Sequence, residues 1–555
     1  MNQGIPYADR GPSPHSFWKQ ARTRYLRPAL ITLALGIVCW AGANSINYVS
    51  HLRPGPDAGE YAAAGMMSRE GKVLYTDIIE FKPPMTFVLN RLALSVGDGT
   101  FHSIRILERF VAGACGVLFF FIILTVFGRP LLALVMALGF LLYNYRIIPF
   151  EEGNITEEYA VMFALAGTLC ALLSRVREGR AASLLIGLAG ACFSCATLTK
   201  EPFIFSSVAW FLYAVVRKGG GLGGALRGTA VFVSGALIPF GVFLAYLVGN
   251  GALIAWLDST HLSYVYATLS ELPGSFLDRQ TRSLERFAVT VFNATYAGRI
   301  AFAMVVAGCL LFPRFLRKHH YLPLLALFAL LMDFVGATTS QRLYGHYFVQ
   351  TVPSFLLCCA FGGAFAARAF RVFGSRNRVA VLLALLLLVM DQRAIAEFWT
   401  RLQQPFVRAD VGPISHFIRA HERDGDDLWI QAGHNSRYYV ETGLTSPAQY
   451  FLLFPAFFLD TWQSTGQEKL AELEKVLVQR PPAWMVLSGR QKGYAAYLSS
   501  IGYLDWICSS YTLVPMVRET RNGYHAFLYA RNDRARMLAL TGVHPVAHDA
   551  PCSNE

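Results

Sequence analysis

Carboxylates, lysines and a histidine gather at a few turns between long apolar runs, a pattern suited to transfer chemistry at a membrane surface. The densest stretch is Asp57-Ala58-Gly59-Glu60-Tyr61, followed by Glu80-Phe81-Lys82-Pro83-Pro84. A carboxylate such as Asp57, within reach of an acceptor hydroxyl, takes its proton as a new bond forms. The same spacing also fits a capping box, in which Asp57 caps a helix running to about Glu70, closed by Gly71, and Glu60 reaches back. The two prolines after Lys82 fix an extended approach. They hold an ammonium at headgroup level, where it either neutralises a phosphate or snorkels to the interface.

Asn154-Ile155-Thr156-Glu157-Glu158-Tyr159 adds carboxylates at a helix start, where the helix dipole also favours acids. Lys200-Glu201-Pro202 ends another helix, with two charges able to neutralise each other. Arg342-Leu343-Tyr344-Gly345-His346-Tyr347 brings a guanidinium, an imidazole and two phenols suited to phosphate oxygens and a sugar. Asp333 lies inside an apolar run, costly unless paired or beside a cavity. No His, Cys or carboxylate spacing suggests a metal site, so no metal or other cofactor is expected to be required.

The elements that must position these groups are membrane helices. The chain is 54% hydrophobic and only 15% charged, which excludes an ordinary soluble protein. Apolar runs predict about eleven spans: 29–48, 106–127, 130–145, 158–174, 181–198, 203–216, 228–249, 292–312, 321–339, 347–370 and 379–392. The basic turns, from Lys19–Arg27 to Arg368–Arg378, then all fall on one side, which the positive-inside rule makes cytoplasmic. The net charge of +13 follows from those turns rather than from nucleic-acid binding.

Residues 1–28 are then a cytoplasmic tail and 29–393 the membrane domain, with the first outer loop at 49–104. The basic leader and long first apolar run predict an uncleaved anchor. Residues 394–555 follow as an extracytoplasmic α/β domain, with strand-like runs at 428–430, 484–487 and 527–529 and a helical segment at 467–479. Of ten cysteines, only Cys508 and Cys552 lie in this polar part, and an oxidising compartment would allow them to pair. Every chemical cluster falls on the face opposite the basic turns, which points to an extracytoplasmic site.

The order of these residues resembles the GT-C glycosyltransferases, in particular the protein O-mannosyltransferases and the lipid A aminoarabinose transferases. The matching positions are Asp57 with Glu60-Tyr61, Gly71 through Asp77, Phe81-Lys82-Pro83-Pro84, Thr156-Glu157, Thr199-Lys200, and Arg342 through Tyr347. The resemblance implies a helical membrane bundle with two amphipathic helices in the first outer loop. It also implies a polyprenyl-phosphate sugar donor, a lipid, glycan or protein acceptor, and inverting transfer in the inner (plasma) membrane. Asp57 would be the base and Glu157 the second acid, a Glu where the family has Asp. Lys82, Arg342 and His346 would hold the donor phosphate, with Glu60, Tyr61, Lys200, Tyr344 and Tyr347 as further site candidates. The competing class is a transporter or flippase of lipid-linked sugars, for which paired half-repeats and broken helices are expected and none is evident.

Overall fold

The computed structural model describes residues 27–50, 52, 54–146, 152–216, 221–268, 276–287, 321–339, 344–369, 392–431, 435–449, 473–488, 503–521 and 524–538. The helices before the sheet are α1 (Arg27–Ser45), α2 (Pro56–Arg69), α3 (Met85–Val96), α4 (Phe101–Phe127), α5 (Pro130–Asn144), α6 (Thr156–Ser174), α7 (Gly179–Thr199), α8 (Phe203–Val215), α9 (Gly221–Gly249), α10 (Leu253–Thr268), α11 (Phe276–Phe287), α12 (Leu322–Thr338), α13 (Val352–Ala369), α14 (Gln392–Gln403) and α15 (Pro413–His421). A 3₁₀ helix, Gly345–Thr351, leads into α13. Six helical stretches among the described residues are long and apolar enough to cross a membrane, while α5, α8 and α12 are apolar but shorter. The spans expected at 292–312 and 379–392 lie outside the described residues.

Burial follows from the solvent each helix meets. The bundle core gathers Phe119, Phe120, Phe140, Leu141, Phe193 and Phe355. At the periphery, α9 exposes Leu237, Ile238, Val242 and Val248, an apolar surface suited to lipid tails. The loop between α1 and α4 carries two helices, as the resemblance implies, but they differ in kind. α3 exposes Val88, Leu92 and Val96 along one stripe, the spacing of an amphipathic face. α2 is not amphipathic: Ala58, Gly59 and Tyr61 through Ser68 are all buried, because α3 covers one side and a later segment covers another.

That later segment belongs to the C-terminal region. Strands β1 (Leu428–Ile430), β2 (Trp484–Ser488), β3 (Tyr511–Arg521) and β4 (Tyr524–Arg531) form one sheet of order β1-β2-β4-β3. β1 and β2 are parallel, and β4 is antiparallel to both β2 and β3. The short helix α16 (Arg437–Thr442) lies between β1 and β2, and α17 (Tyr503–Ser510) and α18 (Asn532–Met537) flank the last two strands. The three expected strand runs all fall within strands, whereas β3 does not stand out in the sequence. Of the helix expected at 467–479, only 473–479 is described, and it is helical. Cys508 is disulfide-bonded, while Cys552 lies outside the described residues.

Candidate active site

The site begins with the way α2 starts. Gly55 occupies the cap position in extended conformation, Pro56 follows inside the first turn, and no side chain caps the helix. Asp57 is therefore not a cap, and the capping-box reading fails. Proline takes the first helical position and moves Asp57 one residue in. Its Oδ2 instead accepts a hydrogen bond from the Tyr61 hydroxyl one turn on, at 3.2 Å. Tyr61 is fully buried and packs edge-on against Phe87 with ring centres 6.0 Å apart, so the phenol is held in place. Asp57 itself is partly exposed.

Glu60 turns away from the helix start, towards Glu80. The two carboxyl groups lie close to each other, and their mutual repulsion and burial favour a proton on the pair. Glu80 is completely buried, and its Oε1 also accepts from the backbone N–H of Phe81 at 2.8 Å and of Lys82 at 3.2 Å. Burial raises both carboxyls above the usual carboxylate range, Glu60 strongly, with the Glu80 charge adding to it. The partner thus keeps Glu80, which has no obvious role in the sequence, in a defined orientation beside Lys82.

This pairing carries a pH dependence. The folded pair keeps a proton that the unfolded chain releases near the ordinary glutamate value of about 4.3. Its stabilisation is therefore complete below that value and declines as pH rises through the pair's raised range. Thermal unfolding of the purified protein between acid and neutral pH is expected to show this decline. Glu80→Gln keeps an amide donor towards Glu60 and an acceptor towards the two N–H groups, so its curve should be flatter. An identical slope in the variant would refute the shared proton.

Lys82 is presented by a tight turn. Tyr75 adopts a left-handed backbone, φ 72°, which returns the chain so that its N–H donates to the Ile78 carbonyl at 2.8 Å. Its hydroxyl then donates to the Lys82 carbonyl at 2.9 Å. Burial alone would lower the Lys82 pKa, but Tyr61, Asp57, Tyr347 and Glu80 outweigh it and hold it well above the ordinary lysine value. The ammonium sits 5.3 Å from the Phe81 ring centre and makes no ion pair with any described residue.

A second lysine faces it. Lys200 pairs with Glu157 at 3.1 Å, both side chains largely buried, and lies 4.5 Å from the centre of the Tyr347 ring. Self-neutralisation with Glu201 does not occur: Glu201 is exposed, and Lys200 turns inward to a carboxylate on another helix. Thr156 donates its hydroxyl to Glu157 Oε2 at 2.9 Å. His346 is buried and electrostatically coupled to Glu157, with its ring edge-on to Tyr347 at 4.7 Å. Tyr344 stacks on His346 at 5.6 Å but is itself exposed, at the rim. Arg342 lies outside the described residues.

Asp57, Tyr61, Lys82, Glu157, Lys200, His346 and Tyr347 thus come together from five separate segments. Residues given no role by the motifs hold those segments. Asn154, also left-handed at φ 50°, donates Nδ2 to the Ala58 carbonyl at 3.0 Å, and its Oδ1 accepts from Asn90 at 3.1 Å and from Tyr159 at 2.6 Å. The Glu157 turn is thereby pinned to both loop helices. From the other side, α16 closes on α2 at Gly59, where a Cβ would lie 2.7 Å from Ser436 Oγ and 3.0 Å from Arg437 N. Only a residue without a side chain permits that approach. Asn154 and Gly59 both fall inside the motif stretches, but their partners are remote and no spacing reveals them.

No family model and no curated protein matches the chain. Among solved structures, the chain is similar to ArnT from Cupriavidus metallidurans bound to undecaprenyl phosphate, with a TM-score of 0.54 and 14% identity over 92% of this chain and 99% of that one. It is likewise similar to ArnT from the same organism in the apo state, with a TM-score of 0.53 and 14% identity over 93% and 99% of the two chains. The shared property at this identity is the fold: a polytopic helical membrane bundle, as expected.

Proposed function

We propose that this protein is an inverting glycosyltransferase that moves a sugar from a polyprenyl-phosphate donor to an acceptor hydroxyl at the extracytoplasmic face of the inner membrane. The acceptor is lipid A or lipopolysaccharide, a cell-wall glycan or a protein. The observation that carries this reading is a partly exposed carboxylate, Asp57, in the electrostatic neighbourhood of an ammonium, Lys82, that makes no ion pair with any described residue. A cation of this kind suits a phosphate that arrives with the substrate. The fold is shared with an enzyme whose structure contains undecaprenyl phosphate.

In this reading Asp57 accepts the proton of the acceptor hydroxyl as its oxygen bonds to the anomeric carbon. The bond from that carbon to the phosphate oxygen breaks, and the electron pair leaves with polyprenyl phosphate. Lys82 neutralises the charge that develops on the phosphate, and Lys200 and His346 offer further N–H donors beside it. One base on the face opposite the leaving group is sufficient for inversion.

Direct binding of undecaprenyl phosphate to the purified protein tests the donor half. Lys82→Ala is expected to raise Kd by about 10- to 100-fold, the loss of one charge-assisted phosphate contact. Unchanged affinity would remove Lys82 from the donor site. Mass spectrometry of envelope glycans with and without the protein identifies sugar and acceptor.

A further inference from the structure

Asp333 is fully buried in the middle of α12, inside the apolar bundle and outside the site just described. There an ionisable side chain persists only with partners. It has two: Ser206 on α8 donates its hydroxyl to Oδ1, and Ser354 on α13 donates to Oδ2. Gln350, at the end of the 3₁₀ helix, extends the group. Its Nε2 donates to Ser206 Oγ at 2.9 Å and to the Pro202 carbonyl at 3.1 Å. Gly336, one turn along α12 from Asp333, makes room for this bond. A Cβ there would lie 2.6 Å from Gln350 Nε2 and 2.7 Å from the Pro202 oxygen. A buried amide, two hydroxyls, a carboxylate and a required glycine therefore meet at one joint between three helices.

The joint has a defined place relative to the site. Pro202 lies two residues after Lys200, and Gln350 lies three residues after Tyr347. Lys200 and Tyr347 are the pair whose ammonium and ring face each other at 4.5 Å. We propose that Asp333, Ser206 and Gln350 are positioning residues: a hydrogen-bonded joint inside the bundle sets the separation between Lys200 and the His346–Tyr347 turn. It thereby sets the width of the phosphate end of the site. The role at the phosphate rests on the donor reading above, whereas the joint itself does not.

The test uses the full-length protein in detergent or nanodiscs and the variants Ser206→Ala, Ser206→Thr and Gln350→Leu. Interhelical hydrogen bonds in membrane bundles are individually modest, about 0.6 kcal/mol on average, so these changes leave the fold intact. Two readouts separate the claims. Amide hydrogen exchange of residues 345–351, with no ligand, is expected to quicken in Ser206→Ala and Gln350→Leu and to return in Ser206→Thr. Exchange in α4 serves as the unchanged reference. The Kd for undecaprenyl phosphate is expected to rise about tenfold in the first two variants, as one phosphate contact weakens, and to recover in the third. Unchanged exchange at 345–351 overturns the joint whether or not donor binds. Faster exchange with unaltered affinity overturns its positioning role and leaves a packing contact. A wild-type protein that fails to bind undecaprenyl phosphate overturns the donor reading and the joint's role at the phosphate, while the exchange data still decide whether the joint holds the turn.

Discussion

Replacing Asp57 by Asn is expected to slow sugar transfer by about 10²- to 10⁴-fold, the usual contribution of a positioned general base, with little change in donor affinity. The amide keeps an oxygen to accept from the Tyr61 hydroxyl, so the 3.2 Å contact and the start of α2 survive. What is lost is the ability to take a proton. Because no side chain caps α2, the substitution removes no cap and helix stability should be nearly unaffected. The measurement is transfer from a polyprenyl-phosphate sugar by membranes containing each protein, alongside thermal unfolding. Retained transfer sinks the base assignment. Lost transfer accompanied by an equal loss of folded protein would point instead to a structural Asp57.

The second large effect concerns Glu157 and Lys200. Their side chains retain only 3% and 12% exposure, so removing one partner leaves an uncompensated charge in a poorly solvated place. Glu157→Gln and Lys200→Met are each expected to cost about 3–5 kcal/mol of stability. The double variant should recover much of that loss, since neither charge then remains. Transfer should not recover with it, because the Lys200 donors at the phosphate end are lost. Unfolding of the two single variants and the double variant closes a double-mutant cycle. If the double variant is as unstable as the sum of the singles, the pair is not energetically coupled and the buried-pair account is wrong.

Comparing these residues with their sequence context shows where local pattern succeeds. Apolar runs place helices closely: the run at 130–145 becomes Pro130–Asn144, and that at 181–198 becomes Gly179–Thr199. Lipid or core surrounds such a segment on all sides, so its hydrophobicity needs no tertiary partner to be legible. The same holds for β1, β2 and β4, each of which contains a short apolar run. β3 escapes notice because Arg518, Glu519, Thr520 and Arg521 fill its second half, where pairing with β4 rather than composition makes the strand.

Charged residues are less transparent. Spacing within one segment suggested that Asp57 and Glu60 belong to a cap and that Lys200 neutralises Glu201. In the fold, Glu60 meets Glu80 and Lys200 meets Glu157, because the bundle supplies nearer partners than the local helix does. Asp57 illustrates the converse. Gly55 and Pro56, two ordinary residues just before it, exclude the capping role, and that signal was present in the sequence all along.

The seat of α16 on Gly59 bears on the order of events as the chain is made. Ser436 and Arg437 are translated long after α2 has left the ribosome, and after every helix of the described bundle before them. Domains generally acquire structure from the N-terminus onward during synthesis. The helix that carries Asp57 thus lacks its final neighbour until more than three-quarters of the polypeptide has been made. A truncated or stalled chain would hold every side chain of the site without the surface that seats them, so competence is conferred late, by completion of the whole molecule.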